Sequence, residues 1–209
     1  MGSRIMHLII ADRVSEKLSI QCKGQFLLGG IAPDAAFTRE RKTKSHYYEG
    51  SLEDGTRCVN YERFAEKYPV DIQSEYGLGY LIHLIADDVW MKHIYFKNNF
   101  KNRLDADPGL LDRWHSDFRK LNGKLIEWFE CGDLEDELRA IGVPENNISE
   151  IESEDLEKFK EETINDFFYT EDDLKKELEV YSLKQILSYI NLAVEEIINF
   201  YMAVTLRIS

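Results

Sequence analysis

The segment of residues 73–100 constrains the fold most, because its apolar side chains are spaced as one broad helical stripe. The stripe comprises Leu78, Leu81, Ile82, Ile85, Val89 and Trp90. Its width predicts a central helix that is buried on several sides. His83 and Asp87 lie in the same segment, four residues apart and therefore on one face of that helix. Burying ionisable groups there costs several kcal/mol unless a partner neutralises them, so the segment indicates a buried polar site.

Apolar side chains recur with helical spacing along most of the chain. Helices are predicted over 4–20, 60–68, 108–131 and 182–206, and a short helical or extended piece ended by a turn over 25–34. Residues 39–57 are polar and predict a loop, and almost nothing alternates as a strand does. We therefore expect an all-α fold, a multi-helix bundle with its metal site in the core, as a single helical domain over residues 1–209.

Residues 133–179 differ in composition from the rest of the chain. They hold 18 of the 39 acidic residues and no histidine. One interpretation is a solvated helical insertion within the domain. The other is a cap that shields the site.

The net charge of −13 limits the classes of partner. Such an acidic surface repels duplex nucleic acid, but a small phosphate-containing substrate stays possible because bound cations invert the local charge. Three distant cysteines without a CxxC pair are typical of a reducing compartment. The first residues do not resemble a secretory signal, and no stretch approaches the roughly 20 apolar residues of a membrane span. These features predict a cytoplasmic protein without a transmembrane segment.

All the histidines lie in the first 115 residues, and several have carboxylate neighbours. They are His7, His46, His83, His93 and His115. Imidazole and carboxylate together are the ligands that zinc and similar cations prefer. His93 follows ten residues after His83, which places it about 80° away on an ideal helix, within reach of the same cavity if the helix bends. The pattern predicts a metal cluster. Tyr47, Tyr48 and Trp90 are interpreted as packing side chains.

The spacing His83-x3-Asp87-x5-His93 resembles the central motif of the zinc-dependent bacterial phospholipases C and the related single-strand-specific fungal nucleases. With that alignment, His7, Asp34, His46 and His115 match further ligands of the family in order along the chain. Asp34 follows the Gly-rich turn Gly30-Ile31-Ala32-Pro33, and the resemblance covers about residues 1–125. It implies a helical bundle whose core holds up to three zinc ions.

The resemblance also implies how the ligands are shared. One ion would be held by Asp34, His46, His83 and Asp87. Asp87 would bridge to a second ion that His7 also binds, and His93 and His115 would hold the remaining one. A single bridging carboxylate serving two cations is chemically reasonable.

The chain departs from the family pattern in two places. The family's N-terminal Trp, freed by signal cleavage, ligates a metal, whereas this sequence begins with Met1. We therefore expect the ion at His7 to be bound more weakly, to have water in its coordination shell, or to be absent.

Where the family has a Glu four residues after its last His, this chain has Arg119, which cannot coordinate a cation. Asp117 is the favoured substitute, although residues two apart on a helix point about 200° from each other. Asp112, three residues before His115, shares its face and stays an alternative.

The function implied by the resemblance is zinc-dependent hydrolysis of phosphate esters, with a phosphodiester favoured. The substrate would be a small phosphate ester or a phospholipid. Asp34 would be a catalytic residue as well as a ligand, orienting or deprotonating a metal-activated water. The alternative is a non-catalytic metal-binding interaction module, which the two departures favour. A helical di-iron protein is disfavoured because the chain has no Glu-x-x-His motif.

Overall fold

The computed structural model describes residues 3–208, with side chains described through residue 203. Within that range the predicted all-α class is confirmed. The α-helices are α1 Arg4–Leu18, α2 Lys23–Ile31, α3 Arg39–Ser45, α4 Tyr61–Lys67, α5 Glu75–Trp90, α6 Phe100–Ala106, α7 Leu110–Phe129, α8 Leu134–Ala140, α9 Ser153–Asn165, α10 Glu171–Lys175 and α11 Leu183–Ile208. Shorter elements are 3-10 turns at Ala32–Ala35 and Asp71–Gln73, a π-helix at Met91–Phe96, and strands β1 Tyr48–Glu49 and β2 Cys58–Val59. The two strands pair antiparallel.

Two local predictions were wrong in part. The segment 39–57 was expected to be a loop, but it begins with α3, because the Thr38 side chain accepts a hydrogen bond from the backbone N–H of Arg41 and caps the helix. The helix predicted over 73–100 is α-helical only to Trp90 and then continues as a π-helix to Phe96.

Helix α5 is the central helix that the apolar stripe predicted. Of its residues, all but Glu75 and Leu78 are buried. It begins at Ser74, whose side chain accepts a hydrogen bond from the backbone N–H of Gly77. It packs against α1, α2, α4 and α11. The phenol of Tyr189 on α11 donates a hydrogen bond to the Ala86 carbonyl, 3.2 Å away, which joins the C-terminal helix to the centre.

Helices α2 and α5 cross with their backbones in direct contact. A Cβ atom added at Gly29 would lie 2.0 Å from the Tyr76 carbonyl oxygen, and one added at Gly79 would lie 2.2 Å from the Phe26 carbonyl oxygen. Gly30, which follows Gly29 in α2, faces α1, since a Cβ atom added there would lie 3.1 Å from the Cβ atom of Ala11. The glycines therefore let three helices meet at one point.

The acidic segment contributes apolar side chains to the core. Leu134, Leu138 and Phe159 are buried with the core residues. The guanidinium of Arg4 in α1 also forms ion pairs with Glu162 at 2.8 Å and Asp166 at 2.9 Å. These contacts hold α9 beside the N-terminal helix. Within the described part of the chain, every helix is too short or too polar to cross a membrane.

We predict that Gly79→Ala lowers the free energy of unfolding by about 1–3 kcal/mol or more, because the added methyl group would force α2 and α5 apart. Gly132→Ala is the matched control, since a Cβ at Gly132 meets no atom within 4 Å. Urea denaturation of the two variants measures the difference. Equal stability of both variants would contradict the close crossing.

Candidate metal centre

Five of the predicted ligands meet at the centre of the bundle. His7 comes from α1, Asp34 from the 3-10 turn after α2, His46 from the end of α3, and His83 and Asp87 from α5. His7 is 2% exposed, His46 and His83 are 1% exposed, and Asp87 is fully buried. Asp34 keeps 14% of its side chain accessible. Residues separated by up to 80 positions thus form one cluster, which we call the His/Asp cluster.

The rings and carboxylates of the cluster are in close contact. The His7 and His83 rings stack with centroids 3.8 Å apart. One carboxylate oxygen of Asp87 lies 3.5 Å from His7 Nε2, and the other lies 3.6 Å from His46 Nε2 and 4.0 Å from His83 Nε2. Asp34 Oδ1 lies 3.3 Å from His46 Nε2.

These atoms form two overlapping sets that can each hold an ion. The first set comprises one ligand atom each of His7, His83 and Asp87, and the second comprises one each of Asp34, His46 and His83. Within each set these atoms lie within 4.8 Å of one another. His83 belongs to both sets, and Asp87 contacts all three imidazoles. Nitrogen and carboxylate oxygen donors in this ratio are typical of zinc sites.

Hydrogen bonds to the backbone orient two of the imidazoles. His83 Nδ1 lies 2.8 Å from the Gly30 carbonyl oxygen, and His46 Nδ1 lies 3.0 Å from the Lys42 carbonyl oxygen. A carbonyl only accepts, so each Nδ1 carries the hydrogen, and in the neutral ring Nε2 carries the lone pair. Both lone pairs face the cluster, as in metal-ligating histidines whose other nitrogen is held by a backbone carbonyl.

Three buried ring nitrogens have no hydrogen-bond partner among the described residues. They are Nδ1 and Nε2 of His7 and Nε2 of His83. Buried polar atoms without partners are rare in native proteins and need an explanation. His83 Nε2 and His7 Nε2 belong to the same candidate ligand set. A cation among these atoms would satisfy the two nitrogens, so the residues present fit a bound metal.

The electrostatics favour the protonation states that ligands need. Burial lowers the pKa of His83 well below its usual value, and the neighbouring His7 ring lowers it further. Burial alone would raise the pKa of Asp34 and Asp87, but nearby positive charge and contacts with His46 and His7 outweigh it and hold both values well below the usual range. At neutral pH the cluster therefore offers a neutral imidazole at His83 and two ionised carboxylates.

Tyr48 was interpreted from the sequence as a packing residue, but it belongs to the site. Its phenol donates a hydrogen bond to Asp87 Oδ2 at 3.1 Å, and its ring stacks on His46 with centroids 5.1 Å apart. Burial raises the pKa of Tyr48 well above its usual value, and Asp87 and Asp34 raise it further, so it stays a donor. Its position two residues after His46 was the only signal in the sequence.

The structure does not bring His93 and His115 into the cluster. His93 is exposed on the π-helix, where it lines a surface cleft with Lys97 and Lys184. The sequence places His93 in reach of the cavity only if the helix bends, and the structure instead leaves it exposed on the π-helix that follows Trp90. His115 is exposed on α7 and lies near the opening of the site without joining either ligand set.

Asp117, the favoured substitute for the late Glu, has a structural role. Its carboxylate is fully buried and accepts hydrogen bonds from the backbone N–H groups of Glu179, Val180 and Tyr181 at 2.7–3.2 Å. These bonds fix the chain before α11 and occupy the oxygens that a metal would need. Its alternative, Asp112, is exposed on the first turn of α7.

An open cleft of about 860 Å³ leads to the cluster. Asp34, His46 and Tyr48 form its inner end, while His7, His83 and Asp87 lie behind them. Its walls include Phe37, Arg39, Lys42, Leu52, Arg57, Trp114, His115, Phe118, Arg119, Phe159 and Asp166. Phe159 and Asp166 belong to the acidic segment, which thus supplies part of one wall.

Comparisons of the chain with protein-family models, with curated proteins and with solved structures found no match. The resemblance to the zinc-dependent phospholipases C remains a prediction that depends on the residues quoted above.

We predict that Asp117→Asn lowers the free energy of unfolding by about 2–4 kcal/mol without changing metal content, because an amide NH2 group would face backbone donors. Denaturation and elemental analysis of the purified variant measure the two effects. Asp112→Asn, at an exposed position of the same helix, should change the free energy of unfolding by no more than about 0.5 kcal/mol. If the Asp117→Asn protein were stable but had lost its bound metal, the result would contradict this structural role and support Asp117 as a metal ligand.

We also predict that metal-free protein becomes less stable as the pH falls below about 6.5, the usual pKa of histidine. Burial lowers the pKa of His83 in the folded state, so in this range the unfolded chain binds more protons than the folded one, and the free energy of unfolding decreases toward acid pH. Denaturation of chelator-treated protein from neutral pH to about pH 5 tests this, with His83→Gln expected to show a smaller slope. A free energy independent of pH would contradict the buried neutral ring.

Proposed function

We propose that the protein is a metal-dependent hydrolase of phosphate esters, that zinc is the favoured ion, and that a phosphodiester is the favoured substrate. The observation that carries this proposal is the buried His/Asp cluster at the end of an open cleft, with imidazole nitrogens that have no hydrogen-bond partner in the described part of the chain. Such a combination of ligand residues and access is typical of a catalytic metal site rather than a closed structural one.

His7, His83 and Asp87 would hold one ion, and Asp34, His46 and His83 would hold another. The third ion implied by the resemblance would need His93 and His115, which lie apart from the cluster, so we propose at most two ions here. Bound zinc lowers the pKa of a water ligand toward neutrality and neutralises charge on a phosphoryl group.

The chain's own residues supply the remaining functions. Asp34 is ionised and partly exposed at the inner end of the cleft, so its carboxylate is placed to accept a hydrogen bond from a water molecule and orient it. Tyr48 holds Asp87 by a hydrogen bond and keeps that carboxylate in place for a metal. Lys42, whose Nζ lies 3.5 Å from Asp34 Oδ1, adds a positive charge where a phosphate would enter.

The charge of the cleft supports an anionic substrate. Arg4, Arg39, Lys42, Arg57 and Arg119 line it. The only carboxylates in its described lining are those of Asp34 and Asp166. In a protein whose net charge is −13, this local excess of cations would attract a phosphate-bearing molecule to the cleft.

The test combines metal analysis with an assay on bis-p-nitrophenyl phosphate. We expect purified protein to bind zinc and to release nitrophenol, and Asp87→Asn to lose metal and more than about 100-fold of the activity, because it removes the carboxylate that contacts all three imidazoles. Asp105→Asn, an exposed carboxylate on α6, is the control and should keep both properties.

The assay also separates the two candidate functions. Zinc bound without hydrolysis of any phosphodiester would contradict the hydrolase and leave a non-catalytic metal-binding module. Normal zinc content in Asp87→Asn would contradict the ligand role of that carboxylate.

A further inference from the structure

The cleft holds more positive charge than its own carboxylates balance. Its two carboxylates are both paired, Asp34 with Lys42 at 3.5 Å and Asp166 with Arg4 at 2.9 Å. Three arginines remain in the lining, namely Arg39, Arg57 and Arg119. None of the three has an acidic side chain within 4.0 Å among the described residues.

The three arginines come from separate elements and face one space. Arg39 is the first residue of α3, the helix that ends at His46. Arg57 precedes β2, where its guanidinium lies over the Tyr48 ring at 5.4 Å and its Nε donates to the Gly50 carbonyl. Arg119 lies on α7, one turn after His115. Arg57 is thus held beside the cluster, and the other two are exposed on α3 and α7.

The cleft is poorly suited to a cationic leaving group. Its two carboxylates already have cationic partners, as described above. Two of its aromatic faces are also covered by the protein's own cations, since Arg4 lies 4.7 Å from the centroid of Phe159 and Lys158 lies 4.8 Å from that of Phe37. A quaternary ammonium group would therefore find both carboxylates and these two aromatic faces already occupied.

A single phosphodiester does not account for this charge, because bound metal would neutralise the phosphoryl group at the cluster. Guanidinium groups bind phosphate through paired, charge-assisted hydrogen bonds. We propose that the cleft recognises a phosphate ester whose leaving group carries a second phosphate, and that Arg39, Arg57 and Arg119 bind this second phosphate. The inference deepens the proposed function and rests on it for the position of the first phosphate.

The test measures binding by isothermal titration calorimetry to the zinc-loaded full chain, with inositol 1-phosphate and inositol 1,4-bisphosphate as probes that differ by one phosphate. We expect the bisphosphate to bind at least about tenfold more tightly. Arg39→Gln/Arg119→Gln should lose most of this ratio. Arg103→Gln/Arg139→Gln removes the same charge at exposed positions outside the cleft and should keep it.

Equal affinity for the two probes, or the same loss in both double variants, would overturn the second-phosphate site. The calorimetric result does not need turnover. An inactive protein that still prefers the bisphosphate would therefore contradict the proposed hydrolase but support the second-phosphate site. An active protein without this preference would support the hydrolase but contradict the second-phosphate site.

A further arm identifies the source of the second phosphate. Zinc-loaded protein is sedimented with phosphatidylcholine vesicles that contain either phosphatidylinositol or phosphatidylinositol 4-phosphate. Preference for the latter vesicles would support the site and assign it to a lipid headgroup. Preference for the bisphosphate in solution, without vesicle binding, would support the site and assign it to a small soluble ester.

Discussion

The close crossing of α2 and α5 is the contact on which the site depends. Because Gly29 and Gly79 have no side chains, the two backbones touch, and the Gly30 carbonyl comes within 2.8 Å of His83 Nδ1. That hydrogen bond decides which nitrogen of His83 faces the cluster. The same crossing places α1 beside Gly30 and so brings His7 against His83. A helix packed at ordinary distance, 8–10 Å between axes, would leave the carbonyl too far away to orient the ring.

Acidic and cationic side chains are distributed unevenly in this chain. Some carboxylates of the acidic segment 133–179 are neutralised by ion pairs within the protein, as in the pairs of Glu162 and Asp166 with Arg4. The buried carboxylates of the cluster are oriented by Tyr48 and the imidazoles, while the arginines outside remain available. The excess of cationic side chains in the cleft would therefore favour an anion there, although the net charge of the chain is negative.

Sequence reasoning succeeded where the chemistry depended on one strongly periodic helix. His83 and Asp87 were placed together by their spacing and their apolar neighbours, and His7 was assigned to the first helix. It was less reliable for residues whose partners are distant in the chain. Asp117 was favoured as a ligand, but its partners are backbone groups 62–64 positions away. His93 was assigned on the condition that the helix bends toward the cavity, but the chain continues past Trp90 as a π-helix on which His93 is exposed.

By itself the sequence determined the all-α class, the buried central helix, and the ligand types that its face carries, because periodicity and residue chemistry are local properties. Only the tertiary structure decided which histidines share a site, which ring nitrogens face it, and that Tyr48 belongs to it. It also decided that Arg39, Arg57 and Arg119 line one cleft. These properties depend on distances between segments far apart in the chain, and those distances are fixed by helix packing, which no local pattern encodes.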